Sequence, residues 1–222
     1  MTKRIDGLLK NSGLPGPRGN LSLLYYFSKE ATEDEVKECF LFIHDEVKNS
    51  PEEFVGMCGI VGLCCLRKYD LHKTIETIRP YASHSSWRIR EAVAIGIQEI
   101  VGNNLQVLIN ILDNWVDGNE YEKRAVIAAL CEPKLLDDKK DVKRVLNILA
   151  KTTNTFLDVH GKLSNAQETL RKSAGYCWSV AIAASPDEGK KCFEALLSTD
   201  NKHILWIIKE NLKKNRLKKN GW

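Results

Sequence analysis

Two stretches decide the fold: Trp87-Arg88-Ile89-Arg90-Glu91-Ala92-Val93-Ala94-Ile95-Gly96-Ile97 and Tyr121-Glu122-Lys123-Arg124-Ala125-Val126-Ile127-Ala128-Ala129-Leu130. The octet from Arg90 to Ile97 overlays the octet from Lys123 to Leu130 at an offset of 33 residues. A period in the thirties is the length of two short helices with their turns, and such a pair buries its apolar face only by stacking on neighbours. The chain therefore reads as an array of helix pairs. Counting back from Ala92 lands on Cys58 and Gly59 inside a similarly apolar helix. Counting forward from Ala125 reaches Ser173-Ala174-Gly175-Tyr176 at an offset of 48, and Leu170 to Ile204 is a further 34. The long middle interval predicts an insertion near Phe156 to Asn165, where the helical pattern lapses.

Helix starts are legible between these marks. S/T-x-x-E boxes at Thr32 with Glu35, Ser50 with Glu53 and Ser185 with Glu188 satisfy orphan amides at helix N-termini, and Pro51 and Pro186 suit the first helical position. Asn20 and Ser86 are plainer N-caps. Apolar residues recur at three and four, as in Val36, Phe40, Ile43 and Val47, and no alternation at period two competes. About eleven helices are predicted, near 21–28, 33–48, 51–67, 71–82, 86–102, 104–116, 119–132, 139–152, 165–184, 187–198 and 201–215. The fold class is all-α. Runs such as Phe54 to Leu66 and Ala174 to Ala184 are apolar almost all round, so they are covered on more than one side. Their glycines cost about 1 kcal/mol each relative to alanine, which close packing between layers must offset. Ser12 to Asn20 is dense in glycine and proline: a rigid loop behind an N-terminal helix, or an anion site formed by Arg18 and exposed amides.

Composition excludes several classes. With 222 residues, 43% apolar and 28% charged, a mean hydropathy of -0.29 and no apolar run of membrane length, the sequence reads as a cytoplasmic protein without a membrane segment or export signal. Its seven cysteines sit mostly in apolar helices and read as reduced, buried thiols. Neither they nor the five histidines show metal-ligand spacing, and no cofactor motif is present. The net charge of +4 conceals an asymmetry: Lys202 to Trp222 holds seven basic residues against Glu210, and the other 201 residues carry 26 basic and 28 acidic side chains. The basic character is local to the C-terminus.

An aromatic residue and one or two cations recur where the inner helices open: Trp87 and Arg88, Tyr121 and Arg124, Arg171 and Lys172, then Trp206. Lys209, Lys213, Lys214 and Arg216 follow in the tail. On a concave wall such a set neutralises phosphates and covers bases or sugars. Alternatively, the arginines tie neighbouring layers to carboxylates and the tryptophans fill the seams. Helix-end cations also complement the macrodipole.

At Trp87-Arg88-Ile89-Arg90-Glu91-Ala92-Val93 and Tyr121-Glu122-Lys123-Arg124-Ala125-Val126 the chain resembles the HEAT-like superfamily that includes bacterial DNA alkylation repair proteins. The resemblance implies a right-handed α-α superhelix, a HEAT-like solenoid forming a single domain over 1–222, with an N-terminal helix and Pro/Gly-rich loop in 1–20 and a basic helix and tail in 202–222. Members that excise alkylated bases have a cationic concave groove with tryptophans and an aspartate that stabilises the cationic sugar. Trp87 with Glu91 one turn later is the nearest match, with Glu in place of Asp, which makes Glu91 the candidate catalytic residue. The leading expectation is a monomeric, non-enzymatic scaffold that binds DNA or another protein, without metal, cofactor or membrane. The alternatives are a glycosylase-like repair protein acting on alkylated purines and a pure protein-interaction scaffold.

Overall fold

The computed structural model describes residues 2–100, 104–219 and 221, and among these the chain is all-α, with fourteen α-helices, three short 3-10 segments and no strand. The chain divides into two compact units, Met1–Gly102 and Asn103–Trp222. The first holds α1 (Lys3–Lys10), α2 (Leu21–Glu30), α3 (Glu33–Phe40), α4 (Pro51–Leu66), α5 (Leu71–Ile78) and α6 (Trp87–Ile100). The second holds α7 (Leu105–Ile111), α8 (Asp113–Val116), α9 (Glu120–Leu130), α10 (Lys139–Asn154), α11 (Asn165–Ala184), α12 (Pro186–Glu194), α13 (Lys202–Leu212) and α14 (Asn215–Lys218). The predicted end of the helix over 86–102 and the last residues of the basic tail, 220 and 222, lie outside the described residues.

Each unit is organised around one helix on which most of its other helices pack. In the first unit this is α4, buried from Glu53 to Cys64 and packed by α1, α2, α3, α5 and α6. In the second it is α11, packed by α9, α10, α12, α13 and α14. The glycines permit the close approach expected of them. A Cβ on Gly59 would lie 2.9 Å from Cys39 Cβ, and one on Gly96 would lie 2.7 Å from Cys64 Sγ. Trp115 and Trp178 are wholly buried, and the Trp178 indole N–H donates to Thr153 Oγ1 at 3.0 Å, so its polar atom is satisfied inside the core.

The caps are realised in part. Thr32 and Glu35 form the reciprocal box, and Asn20 and Ser86 accept from amides of the turns they open. Ser185 makes no side-chain cap bond, and Glu188 instead faces Lys191. Ser50 accepts from the Glu53 amide, but the Glu53 carboxylate takes the amide of Asn49. Reciprocal boxes also form at Asn119 with Glu122 and Ser164 with Gln167. Several predicted helices are shorter than their apolar pattern. α3 stops at Phe40, where i to i+3 turns carry Ile43 toward Gly56 and bury Val47, so apolar spacing continues after the helix has ended. α5 tightens into a 3-10 turn over Arg79–Ser83, because Pro80 has no N–H to continue it. The predicted insertion appears as irregular chain between α10 and α11.

No helix among the described residues is long and apolar enough to cross a membrane, and no group of three or more His, Cys, Asp or Glu side chains there could hold a metal ion. All seven cysteines are free thiols; Cys65 and Cys192 are half-buried and the other five buried. Burial raises the pKa of Cys39 to about 12 and of Cys65 to about 11, and pushes up those of Cys58, Cys64, Cys131 and Cys192. A chromogenic thiol reagent at about pH 8 should therefore titrate at most Cys65 and Cys192 slowly in the native protein, and all seven after unfolding. Rapid native titration of more than two would contradict this packing.

Candidate functional site

The first unit withdraws one candidate from any surface. Arg88, at the start of α6, is 5% exposed, and its Nη1 donates to Glu53 Oε2 at 3.0 Å. Its Nη2 donates to the Gly16 carbonyl at 2.7 Å. Glu53 is itself fully buried, and it accepts from the Asn49 amide at 2.8 Å and from the Ser86 hydroxyl. The Ser86 oxygen in turn accepts from the amides of Arg88 and Ile89 and so caps α6. Gly16 N–H donates to Asn49 Oδ1 at 3.1 Å, which closes the Pro/Gly-rich loop onto the start of α4. One buried carboxylate thus joins the beginnings of α4 and α6 to the N-terminal loop. The expectation that Arg88 meets a partner is corrected: its guanidinium is the counter-ion that makes Glu53 tolerable in the core. Trp87 remains 51% exposed, with Arg88 Cζ 4.6 Å from its ring centroid. Glu91 is half-buried and already partnered within the protein.

Replacing Arg88 with Met leaves Glu53 buried without its counter-charge, and the variant should lose about 3–5 kcal/mol of stability in denaturant unfolding. The double variant Glu53→Gln, Arg88→Met should be distinctly more stable than Arg88→Met alone. A near-neutral single variant would refute the role assigned to the pair.

His84 flanks this network, and its Nδ1 accepts from the Ser86 amide at 3.0 Å. Burial lowers its pKa below the ordinary 6.5; Arg90 adds to the effect, and Asp45 and Glu53 oppose it. The unfolded chain then takes up the proton first as pH falls, so this contribution is complete above the ordinary value and is lost below it. Stability should fall as the pH drops through about 6.5 and below, and the fall should be smaller in His84→Asn, which keeps an acceptor near Nδ1. An identical pH dependence in the two proteins would exclude His84 as the source.

In the second unit the candidates converge on one face. Glu168, Arg171, Lys172, Gly175 and Tyr176 share a side of α11 by helical spacing, as do His203, Trp206, Lys209, Glu210 and Lys213 on α13. Asn211 fixes how α13 lies on α11. Its amide is fully buried, donates to the carbonyls of Ala174 and Ile207 at 2.9 and 2.8 Å, and accepts from the Ser179 amide at 2.8 Å. Asn201 fixes the other end. It caps α13 by accepting from His203 and Ile204, and its Nδ2 donates to the carbonyls of Phe156, Leu157 and Val159 in the insertion.

On this frame the His203 ring bridges two elements. Its Nε2 lies 3.0 Å from the Gly161 carbonyl, which can only accept, so Nε2 carries the hydrogen. Nδ1 then accepts from Arg171 Nη1 at 3.3 Å. The Arg171 guanidinium lies 4.4 Å from the Trp206 ring centroid, and Trp206 fits against the bare backbone of Gly175, where a Cβ would stand 3.0 Å from Cζ3. One residue on, Tyr176 is 45% exposed. Its hydroxyl accepts from Arg216 Nη2 at 2.8 Å, and Arg216 Cζ and Lys214 Nζ lie 4.8 and 5.7 Å from its ring centroid. Leu217, fully buried, anchors α14 and so places Arg216.

The face carries Arg171, Lys172, Lys209, Lys213, Lys214 and Arg216 against two carboxylates. Both acids are held below the usual carboxylate range by adjacent lysines, Glu168 by Lys172 at 3.0 Å and Glu210 by Lys213. The predicted residues Arg171, Lys172, Trp206, Lys209, Lys213, Lys214 and Arg216 thus lie on α11, α13, α14 and the turn joining the last two, which pack together. Tyr121 and Arg124 are half-buried on α9 and partnered within the protein. Tyr176 was missed by the sequence reading, although its place one turn after Lys172 was the available signal. His203, Asn201 and Asn211 had no such signal, since their roles rest on partners distant in sequence. Compared with family models, curated proteins and solved structures, the chain matches none.

Proposed function

We propose that the chain is a HEAT-like helical-repeat protein that binds nucleic acid through the face formed by α11, α13 and α14. The observation that carries this reading is the alternation of cations and rings on one rigid frame: Arg171 on Trp206, then Lys214 and Arg216 on Tyr176. Cations supply phosphate neutralisation, and each neutralised phosphate releases counterions, which gives binding its salt dependence. Rings among the cations offer contact to bases or sugars that a purely electrostatic surface lacks. The catalytic alternative on Glu91 is not adopted, because that carboxylate is half-buried and engaged.

One observation favours a second reading. Leu205 and Leu212 are exposed on α13 beside Lys202, Lys209 and Lys213, a mixture that also suits an acidic protein partner. The two readings separate by competition. Fluorescence anisotropy with labelled oligonucleotides should show binding at low salt that weakens steeply toward physiological salt, with a slope of about 0.7–0.9 per phosphate contacted. Reversing Lys172 and Arg216 to Glu together should weaken it about tenfold or more and flatten the slope. Absence of binding to any strand or duplex at low salt, with capture of an acidic polypeptide instead, would transfer the face to the second reading.

A further inference from the structure

We infer, resting on the nucleic-acid reading above, that this face takes a single-stranded segment, with one base stacked on Tyr176. In a duplex the base faces are covered by their neighbours, so a ring set among phosphate-binding cations finds nothing to stack on. A single strand can turn a base outward onto it. The Tyr176 ring is positioned for this before any ligand arrives. Its backbone belongs to the central helix α11, and Arg216 donates to its hydroxyl at 2.8 Å, so little side-chain freedom remains to be lost on binding. With 45% of the residue exposed, it is the most open aromatic on the face, whereas Trp206 is wedged against Gly175 and covered by Arg171.

The cations around the ring fit the same ligand. Lys214 Nζ, at 5.7 Å from the centroid, makes the looser of the two cation contacts; Arg216, at 4.8 Å, is also tied to the hydroxyl. A base arriving on the ring displaces the ammonium of Lys214, which then swings to the phosphate of the same nucleotide, while Arg216 keeps the ring in place. Lys172, one turn earlier on α11, and Arg171 beside it are the cations available to the neighbouring phosphate of an extended strand. Recognition of this kind is indifferent to base identity, since every base presents a π face.

The test uses the full chain, an oligothymidylate of about 12 nucleotides carrying one 2-aminopurine, and the matching duplex. The single strand should bind at least about tenfold more tightly than the duplex, and its 2-aminopurine fluorescence should be quenched on binding. Tyr176→Ala should weaken the single strand by about 5- to 100-fold and leave the duplex unchanged, while Tyr176→Phe, which keeps the ring and removes the hydroxyl, should stay within about threefold. Equal or tighter duplex binding, unchanged 2-aminopurine fluorescence in the unmodified protein, or equal losses for both ligands in Tyr176→Ala would overturn the single-strand inference and leave salt-dependent binding intact. No binding of either ligand would overturn both. Should Tyr176→Ala fail to fold, the fluorescence of the unmodified protein and the Phe variant decide the matter.

Discussion

The constraint on which the rest depends is that α4 from Glu53 to Cys64 and the later part of α11 from Cys177 to Ile182 are buried on all sides and must be covered by several helices at once. A stretch of that kind has no solvent face on which to leave a polar group, so a carboxylate or amide entering its surroundings is costly unless the fold supplies its partners. In the first unit the group in question is the Glu53 carboxylate, and Arg88, Ser86 and Asn49 surround it. In the second it is the amide of Asn211, satisfied by backbone groups of α11 and its own helix. Both arrangements specify register as well as stability. A one-turn slip of α13 along α11 would strand both the Asn211 amide and the Ser179 N–H it receives.

The candidate surface inherits its precision from that buried polar pairing. Exposed lysines on isolated helices are mobile and bind anions loosely, whereas Arg171 and Arg216 are held by rings and hydrogen bonds. Their frame is a helix pair pinned at one end by Asn201 and near the other by Asn211. The insertion between α10 and α11 contributes too, since its carbonyls are the acceptors that orient Asn201 and His203. What reads in sequence as a lapse of helical pattern is, in the structure, part of the support for Arg171.

Arg88 and Arg171 show how far the sequence reaches. Each is a cation in the first two turns of its helix, Arg88 beside a tryptophan and Arg171 beside a second cation, and local pattern does not separate them. Arg88 is interior because a carboxylate 35 residues earlier is buried next to it, and Arg171 is at the face because its neighbours are an imidazole and an indole more than 30 residues later. Helical periodicity reports which side of a helix a residue occupies. It carries no information about what that side meets.

By itself, then, the sequence determined the all-α class, the positions of most helices, the capping at Thr32, Asn20 and Ser86, the irregular segment before α11 and the concentration of positive charge at the C-terminus. These are local properties, set by 3.6-residue periodicity, by side chains that reach amides two or three positions away, and by composition. Only the tertiary structure decided where α3 and α5 stop, that Glu53 belongs to Arg88 instead of closing a capping box, and that Lys214 and Arg216 gather at the Tyr176 ring. Each of these depends on groups that are distant along the chain and adjacent in space, and packing and desolvation choose among partners that local pattern leaves equivalent.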